Sequence, residues 1–217
     1  MPEYQDLAGK IAACTACFFR HPEIAPLAAL HAVLPVKVLF VGENPSWQEG
    51  QAAPFDQTTI SGQSLDDNYL QPLGLDRAQV WIGDLFKCRY PRDVYHQKAK
   101  NETRIQREVV RACKEWLLAE IAYATPKILV TLSDSQVYQR FRRAFSLSTP
   151  SRFATAAGTP HSIHLAGREV ILFPMVHPDV ARPPNGGDGR KLRAREKWAP
   201  IHAHEHIPAL AALLRAH

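Results

Sequence analysis

Four apolar runs in this chain give way to polar turns, and three of those turns carry side chains suited to acid–base or hydrogen-bond chemistry. VLFV runs into GENPSW, which sets Glu43 and Asn44 side by side between Gly42 and Pro45. Either side chain can hold and orient a water molecule. Both can also serve only to cap the loop through side-chain hydrogen bonds. VWIG runs into DLFKCRYP, which opens with Asp84, an acceptor when ionised and both donor and acceptor when protonated. EVILFPMV ends at HPD, where a neutral His177 imidazole can donate to developing negative charge or simply bond the backbone.

The cysteines form a second group. Cys14 and Cys17 make a C-x-x-C pair near the start, while Cys88 and Cys113 stand alone and 25 positions apart. A zinc ribbon normally shows two close pairs, whereas an iron–sulfur cluster tolerates one pair with distant partners. Buried, unligated thiols are the third reading. Cys88 follows a strand end and Cys113 falls in a helix, so a shared metal centre would fasten the first residues to the body of the fold.

The elements that must position these groups are legible as patterns. VKVLFV (36–41), VWIGDLF (80–86), KILVTL (127–132) and EVILFPMV (169–176) read as buried strands. SLDDNYLQPLGL predicts a helix ending near Gly74, and the segment from Asn101 to Ala124 a long one capped by Asn101 or Thr103. SDSQVYQRFRRAF and HEHIPALAALLRAH supply two more. Alternating strands and helices predict an α/β fold with a mostly parallel sheet covered on both faces, with ligands at the carboxyl ends of its strands. PPNGGDGRK (183–191) reads as flexible. Three alternating histidines, His202, His204 and His206, suggest no metal site.

At 217 residues, 46% hydrophobic and 22% charged, the expectation is one domain, 1–217, with an ordinary core. Without an 18-residue apolar run or a signal-peptide order, the chain reads as soluble and cytoplasmic. The net charge of +5 is unevenly spread. Residues 87–114 hold nine Lys/Arg against three acids, and 182–197 six against two. Basic segments in an otherwise acidic chain point to an anionic polymer; two solvated helix faces are the plainer alternative.

Taken in order, GENPSWQEG, APF, SG, DLFKCRYP, a C-x-x-C before the first strand and HPD after the last resemble the uracil-DNA glycosylase superfamily. The likeness is strongest to its iron–sulfur-containing family 4 branch and covers residues 10 to 210 or so. The resemblance implies a three-layer α/β/α fold with a central four-stranded parallel sheet. It implies a monofunctional glycosylase that flips a deaminated base, uracil or a related one, out of DNA and hydrolyses its N-glycosidic bond in base excision repair. By the same likeness, Cys14, Cys17, Cys88 and Cys113 would hold a structural 4Fe-4S cluster. Glu43 or Asn44 would position water, and His177 would stabilise the departing base. Phe55 would stack on that base and Asp84 would read its edge. Ser61, Gly62, Lys87, Arg182, Arg190, Lys191 and Arg193 would approach phosphates of a DNA partner. The expected state is a monomer in a bacterial or archaeal cytosol, without membrane attachment.

Three positions depart from that family's pattern. Asp84 stands where uracil readers carry asparagine; an ionised aspartate can only accept, which predicts weakened uracil excision or a different base. Protonation on burial would restore a donor. Asp179 replaces the serine of HPS and would repel a phosphate. DVYHQKAK lengthens the gap before Cys113 and carries His96, in the position of the inserted loop of a branch that bonds covalently to DNA through a histidine; an exposed loop histidine is the reading preferred here. With Asp84 and Asp179 both altered, the alternative is a catalytically weak DNA-binding or damage-sensing module of the same fold.

Overall fold

Strands covered on both faces are apolar throughout instead of alternating, and the first three runs obey this rule. In the computed structural model, the helix α1 (Pro2–Ala12) precedes the sheet, and β1 (Val38–Gly42), β2 (Trp81–Asp84) and β3 (Ile128–Leu132) are buried along their whole length. The structure describes residues 2–18, 20, 24–30, 34, 36–45, 53–89, 100–132, 135–184 and 189–217, without the side chains of 2, 135, 136 and 189–191. Trp47, His96 and residues 185–188 of the 183–191 segment lie outside the described residues.

The sheet has five strands, not the expected four. The added strand β4 (His161–Leu165) is antiparallel to β5 (Arg168–Met175) and forms one edge of the order β2-β1-β3-β5-β4. A two-residue turn joins them, with Ala166 at φ 50° and Gly167 at φ 74°. Positive φ at both positions matches the right-handed twist of paired strands. Ile163 and Leu165 are buried while Ser162 and His164 are exposed, so β4 does alternate. The two histidines disguised that alternation in the sequence. The other four strands run parallel.

From β1 the chain steps one way to β2, then back across to β3 and β5. Right-handed crossovers put the connections for opposite steps on opposite faces. One face receives α2 (Ile60–Leu65), which continues through Asp66–Leu70 and Gln71–Leu73 and stops at Gly74 as expected. The other receives α3 (Val110–Ala124) and α4 (Ser135–Ala144), which touch each other. The helix α5 (Phe153–Ala156) leads into β4. After β5 come α6 (Pro178–Ala181), α7 (Gly189–Ile201) and α8 (Ile207–Ala216); α6 packs on α2 and α8 on its extension. The result is the expected three layers. Among the described residues, no helix is long and apolar enough to cross a membrane.

The first residues close the other edge of the sheet. Leu30 pairs with Ile82 through N–H···O bonds of 2.7 and 3.0 Å, and the Leu27 N–H reaches the Lys87 carbonyl at 2.7 Å. That bridge takes up the ladder groups of Ile82 on the β2 edge.

His202 and His206, unassigned from sequence, are buried on the wide turn between α7 and α8. His202 Nε2 donates to the Asn68 carbonyl at 2.8 Å, and its ring lies 4.2 Å from that of Tyr69. Burial pulls the His202 imidazole down to about 4, and lowers that of His206 as well. A histidine depressed by folding contributes stability above its unfolded range, near pH 6.5, and loses it as pH falls toward its folded value. Urea titrations should therefore show stability falling between about pH 6.5 and about 4, by at most about 1.4 kcal/mol per pH unit for one proton. A His202→Phe variant should show a shallower fall; an identical slope would remove His202 from the account.

Candidate functional site

The carboxyl ends of β1, β2 and β5 share one rim, and its geometry begins with Gly42. A Cβ there would collide with both Asp84 Oδ1 and the Phe55 ring, so only glycine lets carboxyl and aromatic meet over the end of β1. The exits of β1 and β2 stay in register through Leu85 N–H to Gly42 O at 2.9 Å and Phe86 N–H to Glu43 O at 2.8 Å. Phe55 is 9% exposed and adopts φ 50°. A bulky residue held there costs on the order of 1–3 kcal/mol, and such strain gathers at ligand sites. Its ring centroid lies 5.9 Å from that of His177.

His177 is fixed from both sides. Ser64 Oγ donates to Pro178 O and Tyr69 OH to Val176 O, each at 2.5 Å, so the helix after Phe55 clamps the backbone around the histidine. Its Nδ1 accepts the Asp179 N–H at 3.1 Å. A neutral ring bonded in this way carries its proton on Nε2, which suits a donor.

Glu43 receives a hydrogen bond from the buried Arg140, whose guanidinium also forks onto Glu102 through Nε at 3.0 Å and through Nη2. Asn44 turns its amide back to the Pro45 carbonyl at 2.7 Å. Of the two, Glu43 is held by a cation and Asn44 by its own turn. Asp84 is 1% exposed, and among the described residues neither carboxylate oxygen has a hydrogen-bond partner. Burial pushes its carboxyl up to about 7, against the opposing pull of Lys87 and with the help of Glu120 and Glu43.

Several phosphate-facing assignments change. Lys87 is buried at 1% exposure, donating to Glu120 and, at 2.7 Å, to the Asp84 carbonyl; it is a structural cation, not a DNA contact. The Gly62 N–H is taken by Thr59 Oγ1 at 3.0 Å, and a Cβ on Gly62 would strike the Asp56 carbonyl. That glycine permits close packing and does not offer its amide to phosphate. Ser61 is half-buried beside it. Arg182 leans on Asp179 at 3.5 Å, and Arg195 binds the same carboxylate at 2.9 Å, so Asp179 is compensated and not a bare repelling charge. Arg193 is exposed on α7, while the side chains of Arg190 and Lys191 lie outside the described residues. A cavity of about 560 Å³ between residues 145–150 and 160–164 contains none of the rim residues.

The four cysteines approach one another. Cys88 hydrogen-bonds with Cys17, and Cys14 and Cys113 lie close enough to raise its thiol further. Burial and the neighbouring thiols push Cys113 up to about 12. Trp116 Nε1–H donates to Cys14 Sγ at 3.3 Å. Among the described residues, no three such side chains close to the geometry of a bound metal ion. The gathering of four sulfurs from three separate segments, with an indole donor on one, fits a thiolate-held cluster in composition.

This is an α/β protein that gathers an aromatic, a histidine and a buried acid at the carboxyl ends of its sheet. The sequence profile of the Uracil DNA glycosylase superfamily matches residues 32–191, and the chain belongs to that superfamily. It is similar to the type-4 uracil-DNA glycosylase of Sulfurisphaera tokodaii, 30% identical over 149 residues that are 67% of this chain and 60% of that protein. The enzyme of the same name from Saccharolobus solfataricus is 26% identical over 146 residues, 67% of this chain and 62% of its own. That of Thermotoga maritima is 30% identical over 124 residues, 57% of this chain and 58% of its own. The match thus spans about 60% of the length of these curated relatives.

Lys87→Met should destabilise the fold by about 3–5 kcal/mol, because it strands the buried Glu120 carboxylate. Denaturant titration measures this. A loss under about 1 kcal/mol would return Lys87 to the surface.

Proposed function

We propose that the chain is a monofunctional DNA glycosylase that hydrolyses the N-glycosidic bond of a flipped-out, deaminated base. The observation that carries this is the meeting of Phe55, His177 and Asp84 around Gly42, where a planar ring would find a stacking face, a donor and an edge reader. Cleavage makes an oxocarbenium-like sugar and an anionic base; water then adds to the anomeric carbon and gives up a proton. Glu43, kept in place by Arg140, is the better-mounted acceptor for that proton, and Asn44 lies beside it. His177 Nε2–H donates to the carbonyl oxygen on which the base's charge accumulates. Phe55 contributes stacking of about 1–3 kcal/mol without regard to base identity.

The substrate class is DNA bearing uracil or a related deaminated base. Phosphate contacts are assigned to Ser61, Arg182, Arg190, Lys191 and Arg193, with Lys87 and Gly62 withdrawn. Cys14, Cys17, Cys88 and Cys113 would hold a 4Fe-4S cluster, which supplies cross-linking of the N-terminal segment to β2 and α3. The whole of 1–217 is read as one domain acting as a monomer.

Labelled oligonucleotides bearing uracil, hypoxanthine or xanthine, treated with protein and then alkali, test the activity. Strand breaks at the modified base support it, and retention of DNA without breaks supports a damage-sensing module. His177→Ala should lower excision by about 100- to 1,000-fold, as loss of a donor to a developing anion does; unchanged excision would refute that role. Purified protein should be brown, with absorbance at about 400 nm and about four irons per chain. Cys17→Ala should lose both. Colourless protein with stoichiometric zinc would exclude the cluster.

A further inference from the structure

Charges at the exits of β1 and β2 do not pair evenly, and the carboxyl left over, that of Asp84, packs over Gly42 beside the Phe55 ring. Lys87, from the exit of β2, gives its ammonium protons to Glu120 and to the carbonyl of Asp84, not to its carboxyl. Arg140, from α4, is committed to Glu43 and Glu102. Glu43 faces Asp84 from β1 and Glu120 from α3, and His177 lies beyond the Phe55 ring. Within this ring of groups both oxygens of the buried Asp84 are without a donor among the described residues. An ionised carboxylate so placed is strongly disfavoured relative to its neutral acid. The same balance, with burial outweighing Lys87, holds the group at about 7.

A carboxylic acid carries one C=O acceptor and one O–H donor in a plane, the pair an amide side chain also presents. We propose, on the reading of this site as a glycosylase base pocket, that Asp84 reads the base as a neutral acid. Its O–H donates to a base carbonyl while its C=O accepts the adjacent ring N–H, so uracil is recognised only while Asp84 holds its proton. After ionisation the same carboxylate accepts twice and repels the base carbonyl. It then suits an edge with two adjacent donors. The aspartate does not exclude uracil; it makes recognition conditional on pH.

Single-turnover excision from a uracil-containing single-stranded oligonucleotide, followed from about pH 5.5 to about 8.5 in wild type and Asp84→Asn, tests this. Carbon-13 NMR of labelled aspartate carboxyls follows the proton itself in both proteins. Wild-type excision should fall roughly 30-fold between about pH 6 and about 8.5, as expected for one proton leaving near 7. Asp84→Asn should be flat over that range and faster at its alkaline end. The NMR signal missing from Asp84→Asn should titrate over the same interval. A carboxyl already ionised at about pH 6 overturns the inference, as does a flat wild-type profile or an equal fall in Asp84→Asn. Absence of excision from both proteins at every pH, with the carboxyl titrating as stated, sinks the glycosylase reading and the inference resting on it.

Discussion

The buried pair of Lys87 and Glu120 is the constraint on which the rest of the site depends. Its ammonium and carboxylate are 1% and 0% exposed, so each charge is tolerable only because the other is present. Three parts of the chain meet on it. Lys87 reaches back to the carbonyl of Asp84, fixing the end of β2. Glu120 holds α3 against the sheet and accepts the Ala29 N–H at 2.8 Å, drawing in the segment that covers the β2 edge. Cys88 directly follows Lys87, and Cys113 lies two helical turns before Glu120. The end of β2 and the gathered thiols therefore share one electrostatic anchor.

Residue types and periods revealed most of the fold. Runs of β-branched residues gave β1, β2, β3 and β5 because a doubly covered strand admits little else. The missed strand, β4, has only Ile163 and Leu165 to signal its buried face, and its histidines read as loop. At the site, Glu43, Phe55, Asp84 and His177 were identified from their place after strands and from family resemblance, and the structure brings them to one rim. Lys87 was misread because a count of local charge cannot see an acid 33 positions away. A signal did exist: Glu120 falls on the helical stripe of Cys113, Leu117, Ile121 and Ala124, where a solvated acid has no place. Arg140 hides in the same manner, within VYQRFRRAF, where Val137, Tyr138 and Phe141 mark a buried face.

The positioning of His177 shows why the helix following Phe55 matters as much as the strand preceding the histidine. Ser64 and Tyr69 bond to carbonyls on either side of it, and Thr59 caps the same helix. Phe55 and His177 are thus set by one rigid element, which bears on both the stacking face and the donor. Asp179 fits the same logic. Its carboxylate holds Arg195 of α7 and leans on Arg182, so the acid replacing serine ties the C-terminal helices to the HPD turn. What looked like a repelling charge is a fastening one.

Among the described residues, three carboxyls, Glu43, Asp84 and Glu120, crowd the exits of β1 and β2, while two buried cations serve them. Arg140 goes to Glu43, and Lys87 to Glu120. Among the described residues, a side chain donates to Asp84 only at its backbone oxygen. Were Lys87 turned to the Asp84 carboxyl, Glu120 would be stranded deeper still, at 0% exposure, with only the Ala29 N–H for company. In the observed pairing Glu120 keeps both Lys87 and the Ala29 N–H, and Asp84 is the carboxyl left to take up a proton or meet an arriving donor. A pairing dictated by the core thus decides which carboxyl stands beside Phe55 with its hydrogen bonds unmade among the described residues.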